Sequence, residues 1–142
     1  NNMSDNWVKD INDMHHKFGV KKWVQAQQQS DADKSILNEF LKFRMKMIQE
    51  EVDETNKAIE DKNPEEIVDG LIDMCVFAIG TLDVFGIDGN KAWNQVYEAN
   101  MSKEVGIKES RPNPFGLPDL IKPKDWKGPE HNDNHGILSN TL

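Results

Sequence analysis

The chain has 142 residues, of which 37% are hydrophobic and 30% charged, and its formal net charge is −8. That length allows one domain with a modest core, and the acidic balance excludes a phosphate-backbone binder, which needs clustered Lys and Arg. The single cysteine, Cys75, excludes an intramolecular disulfide and reads as a small core residue.

The first helix is expected to begin at Ser4, a good N-cap, and to carry Trp7, Ile11, Met14 or His15, and Phe18 at helical spacing until Gly19 stops it. From Lys21 to Lys34 the chain is polar and Gln-rich, with Trp23 its large apolar residue, and reads as a loop or weak helix. A long helix is predicted from about Ser35 to Glu60, with Ile36, Leu37, Phe40, Leu41, Phe43, Met47 and Ile48 on its apolar face. Asp61-Lys62-Asn63 is a short turn. Asn63-Pro64-Glu65-Glu66 is a helix start: an N-cap Asn, Pro at the first position and acids in the first turn.

The next helix, Pro64 to about Phe85, is apolar on nearly all sides, and a helix of that kind is expected to be buried. Gly86 ends it. A further helix capped by Asp88 or Asn90 runs to about Lys103. Five of the six prolines lie between Pro112 and Pro129, in turn signals incompatible with helix. The tail reads as an extended strap anchored by Leu117, Leu120, Ile121 and Trp126, with frayed final residues. The fold class is therefore all-α, with a helical domain over residues 4–105 and an extended, Pro-rich tail over 106–142.

No apolar stretch reaches about 18 residues without an acid, so no membrane span or membrane partner is expected. The first residues lack the charged-then-apolar pattern of an export signal. With Cys75 alone, this points to a reducing, cytoplasmic compartment. Nucleic acid is not an expected partner.

The candidate chemistry lies in the acids. Glu51 and Glu54 are three apart on the long helix, so their side chains are neighbours on one face. Glu66 and Asp69 repeat the spacing on the next helix, and Asp73 continues that face. Helices joined by a short turn are normally antiparallel neighbours, so both pairs can face each other. From Glu65 to Phe85 there is no Lys or Arg, and a buried carboxylate without a partner is costly. A divalent cation resolves this, and an all-oxygen donor set selects Mg²⁺, with Mn²⁺ a substitute.

Glu50-Glu51-Val52-Asp53-Glu54 followed by Glu66-Ile67-Val68-Asp69 resembles the EExxE…ExxD signature of the MazG-like all-α nucleotide pyrophosphohydrolases, relatives of the phosphoribosyl-ATP pyrophosphohydrolases and dimeric dUTPases. Met14-His15-His16-Lys17-Phe18-Gly19, Phe85-Gly86-Ile87-Asp88 and Asn100-Met101-Ser102-Lys103 are similar to flanking segments of that family, and the resemblance spans roughly residues 7 to 105. It implies a four-helix-bundle core completed by oligomerisation, as a homodimer or homotetramer. It also implies Mg²⁺-dependent hydrolysis of (deoxy)nucleoside triphosphates to monophosphate and pyrophosphate. Glu51, Glu54, Glu66 and Asp69 match the metal ligands. Glu50 would support the ligands from behind or help to orient the attacking water, and Asp73 would hold a further metal or part of the nucleotide. The resemblance also implies that His15, Phe18 and Trp23 lie near the base, and that Asn100 and Lys103 reach the sugar or phosphates. Two other readings stand beside this one: phosphoribosyl-ATP hydrolysis on the same metal site, and a non-catalytic helical assembly or regulatory protein whose acids are a solvated face.

Overall fold

The computed structural model describes residues 3–30 and 34–142. The described residues are mostly helical: α1 (Trp7–Lys17), α2 (Val20–Gln29), α3 (Lys34–Glu60), α4 (Pro64–Val84), α5 (Gly89–Met101) and α6 (Leu138–Thr141), with two short strands, β1 (Glu104–Gly106) and β2 (Asp119–Ile121). None of the described helices is long and apolar enough to cross a membrane by itself. The chain forms two compact units, one of residues up to Gly89 together with His135–Leu142, the other Asn90–Asn134.

The first unit is built on the α3–α4 hairpin. Lys62 takes a left-handed φ of 56°. The N–H groups of Lys62 and Asn63 return to the carbonyls of Ile59 (3.1 Å) and Ala58 (2.9 Å), so α3 closes in a Schellman motif. Asn63 then serves α4 as N-cap, its side chain accepting from the Glu66 N–H at 3.2 Å. One residue thus ends one helix and starts the next, which fixes the hairpin angle. At the other end of α4, Gly86 (φ 74°) repeats the device, with Ile87 N–H on the Leu82 carbonyl at 2.9 Å.

Two glycines set how closely the helices approach. Gly70 faces the Thr55 side chain and Gly80 faces Arg44 and His15. Stepping back eleven residues along α3, from Thr55 to Arg44, matches ten residues forward along α4, from Gly70 to Gly80. The helices therefore run antiparallel. The core of the unit gathers Val24, Leu37, Val84 and Phe85, with Phe40, Leu41, Ile137 and Leu138 packed around them.

Several expectations are corrected. Helix α1 starts at Trp7, with Asn6 as its N-cap in place of Ser4: the Asn6 side chain accepts the Lys9 N–H at 3.1 Å. The Gln-rich stretch is a full helix over Val20–Gln29, because Val24 is buried in the core and Gly19 supplies the left-handed turn before it; residues 31–33 of that stretch lie outside the described residues. The C-terminal end is not frayed. Gly136, at φ 55°, lets Ile137 donate to the Phe85 carbonyl at 2.9 Å, and Thr141 of α6 is among the most buried residues.

Nor is α4 covered all round within this chain. Val68, Leu71 and Ile72 are 63%, 52% and 43% exposed. On α3, Phe43 and Ile36 of the predicted apolar face are exposed too. Hydrophobic periodicity reports which residues seek burial, and one copy of the hairpin lacks the surface to provide it.

In the second unit the β1–β2 pair is antiparallel, with Glu104 opposite Ile121 and Gly106 opposite Asp119. The pairing thus reaches across the sequence boundary at 105/106. The segment after β2 is tied to α5 by Trp126 Nε1, which donates to the Ala99 carbonyl at 2.7 Å, and by Glu130 N–H on Gln95 at 3.1 Å.

Candidate active site

The acids of α3 and α4 occupy the end of the hairpin near the turn. Thr55 is buried, and its hydroxyl donates to the Glu51 carbonyl one turn earlier at 2.7 Å. Gly70 fits against Thr55, so Glu51 and Glu54 on α3 flank the same crossing as Asp69 and Asp73 on α4. Partial burial pushes the Glu51 carboxyl above the usual range, and the charges of Glu54, Asp73, Asp69 and Glu50 push the same way. Partial burial also raises Asp73, together with the charge and hydrogen-bonding of Asp69. No Lys or Arg contributes to either shift. Glu66 sits exposed in the first turn of α4, three residues before Asp69 and so on its side of the helix.

This face is electrostatically incomplete. Carboxylates crowd one another from two helices, and each raises the cost of ionising the next. Every donor is a carboxylate oxygen, the set a hard divalent cation selects. Among the described residues, no three such groups form a ready-made ion cage. Mg²⁺ does not need one, because it takes one or two carboxylates and fills its shell with water and phosphate oxygens. An open, divided set of acids on two rigid helices fits that requirement.

The residues expected near the base are placed differently from one another. His15 is buried, its Nδ1–H donating to Asp83 at 2.7 Å. Phe18 is the exposed C-cap of α1. Trp23 is partly exposed and meets the Phe40 ring edge-on at 4.9 Å. Phe40 precedes Glu51 on α3 by ~16 Å of helix, at 1.5 Å per residue. Asn100 and Lys103 belong to the second unit, where Asn100 is exposed and the Lys103 ammonium lies 5.1 Å from the Trp126 ring centre.

Sequence reasoning missed a second polar cluster. Asp83, near the end of α4, is buried and accepts from Asn12 (2.8 Å) and His15, and its carboxylate pairs with Lys21 at 3.2 Å. Burial alone pushes this carboxyl up. The hydrogen bonds from Asn12, His15 and Lys21, with the Lys21 charge, outweigh burial and hold it below the usual range. Beside it Arg44, also buried, donates to the Thr81 hydroxyl (3.1 Å) and the Phe77 carbonyl (3.3 Å) and lies over the Phe77 ring at 5.4 Å. Burial lowers its guanidinium pKa, against the pull of Asp83. The signal was present in the sequence: Asp83 lies in the same cation-free run as Asp73, so it too needed a neutralising partner from elsewhere. The cluster ties α1 and α2 to α4 through Asp83, and α3 to α4 through Arg44.

A family model described as phosphoribosyl-ATP pyrophosphohydrolase matches residues 13–100, a span that contains α3, α4 and all the acids above. No curated protein matches the chain. A match over more than half of the chain, on a mostly helical fold, establishes the relationship: the chain belongs to the phosphoribosyl-ATP pyrophosphohydrolase family, hydrolases of acid anhydrides within the MazG-like nucleotide pyrophosphohydrolase superfamily.

Proposed function

We propose that the protein hydrolyses (deoxy)nucleoside triphosphates to the monophosphate and pyrophosphate, with Mg²⁺ held on the acidic face of the α3–α4 hairpin. The observation that carries this reading is the close fit of Gly70 against Thr55, which brings Glu51 and Glu54 of α3 to the same crossing as Asp69 and Asp73 of α4, with no ion pair from Lys or Arg to any of them among the described residues. Glu51, Glu54, Glu66 and Asp69 are the proposed metal ligands. When bound, the ion supplies positive charge against the phosphate oxygens and makes water more acidic. Glu50 is proposed to help orient the attacking water, and a carboxylate beside that water to accept its proton. Asp73 contributes to the ion site or to nucleotide binding. Phe18 and Trp23 are proposed contacts of the base, and Asn100 and Lys103 of the sugar or phosphates. His15 acts at most through its packing, given its bond to Asp83.

The family match supports placing the catalytic machinery within residues 4–105. The matched description favours phosphoribosyl-ATP as a second candidate substrate, acting on the same ion site. We also propose that a second copy covers the exposed Val68, Leu71 and Ile72, making a homodimer or an assembly of dimers. The test is pyrophosphate release from a panel of NTPs, dNTPs and phosphoribosyl-ATP, with Mg²⁺ and with EDTA, for wild type and Glu54→Ala. Mg²⁺-dependent pyrophosphate release that the substitution abolishes is expected. Turnover of phosphoribosyl-ATP alone would replace the leading substrate class, and orthophosphate release would overturn the reaction.

A further inference from the structure

The second unit carries its charge differently from the rest of the chain. Between residues 90 and 134 there are seven basic and seven acidic residues, so the whole excess of −8 lies elsewhere. Three of the seven cations are paired: Lys91 with Asp133, and Lys108 and Arg111 with Asp119. Among the described residues, the other four, Lys103, Lys122, Lys124 and Lys127, make no ion pair.

Those four gather at Trp126. The register of the hairpin, Glu104 opposite Ile121, puts the flanking residues Lys103 and Lys122 opposite each other. Like charges in that position repel. Both ammonium groups lie over one indole, at 5.1 and 5.0 Å from its centre, where the ring's electron-rich face offsets part of the repulsion. The ring is fixed by its Nε1 bond to the Ala99 carbonyl. Beside it opens a cavity of about 420 Å³, lined by Ser102, Pro123, Lys124, Asp125, Trp126 and Lys127. That volume is in the range of small-ligand sites. Asp125 is the one carboxylate in the lining, set against Lys124 and Lys127 there and against Lys103 and Lys122 over the adjoining indole.

We propose that this cluster binds a short chain of phosphates, of the kind carried by a nucleoside triphosphate or released as pyrophosphate. An extended polyanion relieves the repulsion between Lys103 and Lys122 and meets Lys124 and Lys127 at the cavity. Lysine stems already resting on the indole lose less freedom when the ligand arrives. The choice of ligand rests on the pyrophosphohydrolase reading; the site itself uses neither the metal nor the acids of α3 and α4.

The test titrates inorganic tripolyphosphate into the full chain in EDTA at low ionic strength, where the acidic face repels a polyanion. We expect saturable calorimetric binding that weakens with salt and that exceeds binding of orthophosphate. The double variant Lys122→Gln/Lys124→Gln should bind at least about tenfold more weakly, the loss of one charge-assisted contact. Lys42→Gln, on an exposed α3 lysine next to Glu39, should match wild type. Circular dichroism checks folding, and Lys127→Gln alone serves if the double variant misfolds. No binding in EDTA, equal binding by the variants, or equal binding of orthophosphate overturns the proposal. Activity without this binding sinks only the lysine site, and binding without activity sinks only the catalytic reading.

Discussion

Gly70 lies against Thr55 so closely that a Cβ there would meet the Thr55 hydroxyl, with the Thr55 Cβ only 3.2 Å away and its Cγ2 at 3.6 Å. Rotating Thr55 does not clear the space, since its own Cβ is in the way, and its hydroxyl is held by the Glu51 carbonyl. Alanine is better than glycine in a helix by about 1 kcal/mol, but overpacking costs about 1–3 kcal/mol. Gly70→Ala should therefore destabilise the fold and, by parting α3 from α4, lower turnover. Adding Thr55→Ala should restore part of both. A double-mutant cycle in urea, with activity measured alongside, checks this; additive effects would mean that the two residues are not coupled.

Neutralising Glu51 or Asp73 should separate stability from function. Both carboxyls are raised in the folded state, so each is easier to protonate folded than unfolded. Without metal, stability is then greatest below the ordinary carboxylate range and falls as pH rises through the raised folded values. Glu51→Gln and Asp73→Asn should melt higher than wild type at pH 7 in EDTA. Glu51→Gln should lose at least about 100-fold in activity, more than an indirect metal contact commonly costs. Mg²⁺ should raise the melting point of wild type and not of Glu51→Gln. A lower melting point for these variants in EDTA would show that the acids do not repel one another.

Asp83 should behave in the opposite sense. Its carboxyl is held below the usual range, so its stabilising contribution is complete above the ordinary carboxylate pKa. That contribution is lost as pH falls through the lowered folded value. Asp83→Asn leaves Lys21, His15 and Arg44 without their shared anion and should cost about 2–3 kcal/mol at pH 7. The difference between variant and wild type should shrink in acid. Chemical denaturation at pH 7 and pH 3 measures both terms, and a constant difference would remove Asp83 from the acid response.

The exposed α4 stripe supplies a test of assembly. Val68→Asp with Ile72→Asp places two charges on a surface that should be covered by a second copy. Wild type is expected as a dimer or larger by light scattering after gel filtration, and the variant as a monomer. A monomeric wild type would end the proposal.

The sequence determined the helical hairpin, because its signals are local. Apolar spacing, the Asn63-Pro64 start and Gly86 each act within a turn of helix, and the spacing of Glu51, Glu54, Glu66 and Asp69 was enough to place acid pairs on successive helices. Where local signals were weak, loop and helix stayed open: the Gln-rich segment is α2 because Val24 finds Leu37 and Val84, contacts invisible in a window of neighbouring residues. Only the tertiary structure decided that Asp83 is neutralised by groups from α1 and α2, that Thr141 is buried under the return of the chain to Phe85, and that Lys103 joins Lys122 over Trp126. Each of these joins residues distant in sequence, where the cost of burying a charge or of crowding like charges is settled by what the fold brings alongside.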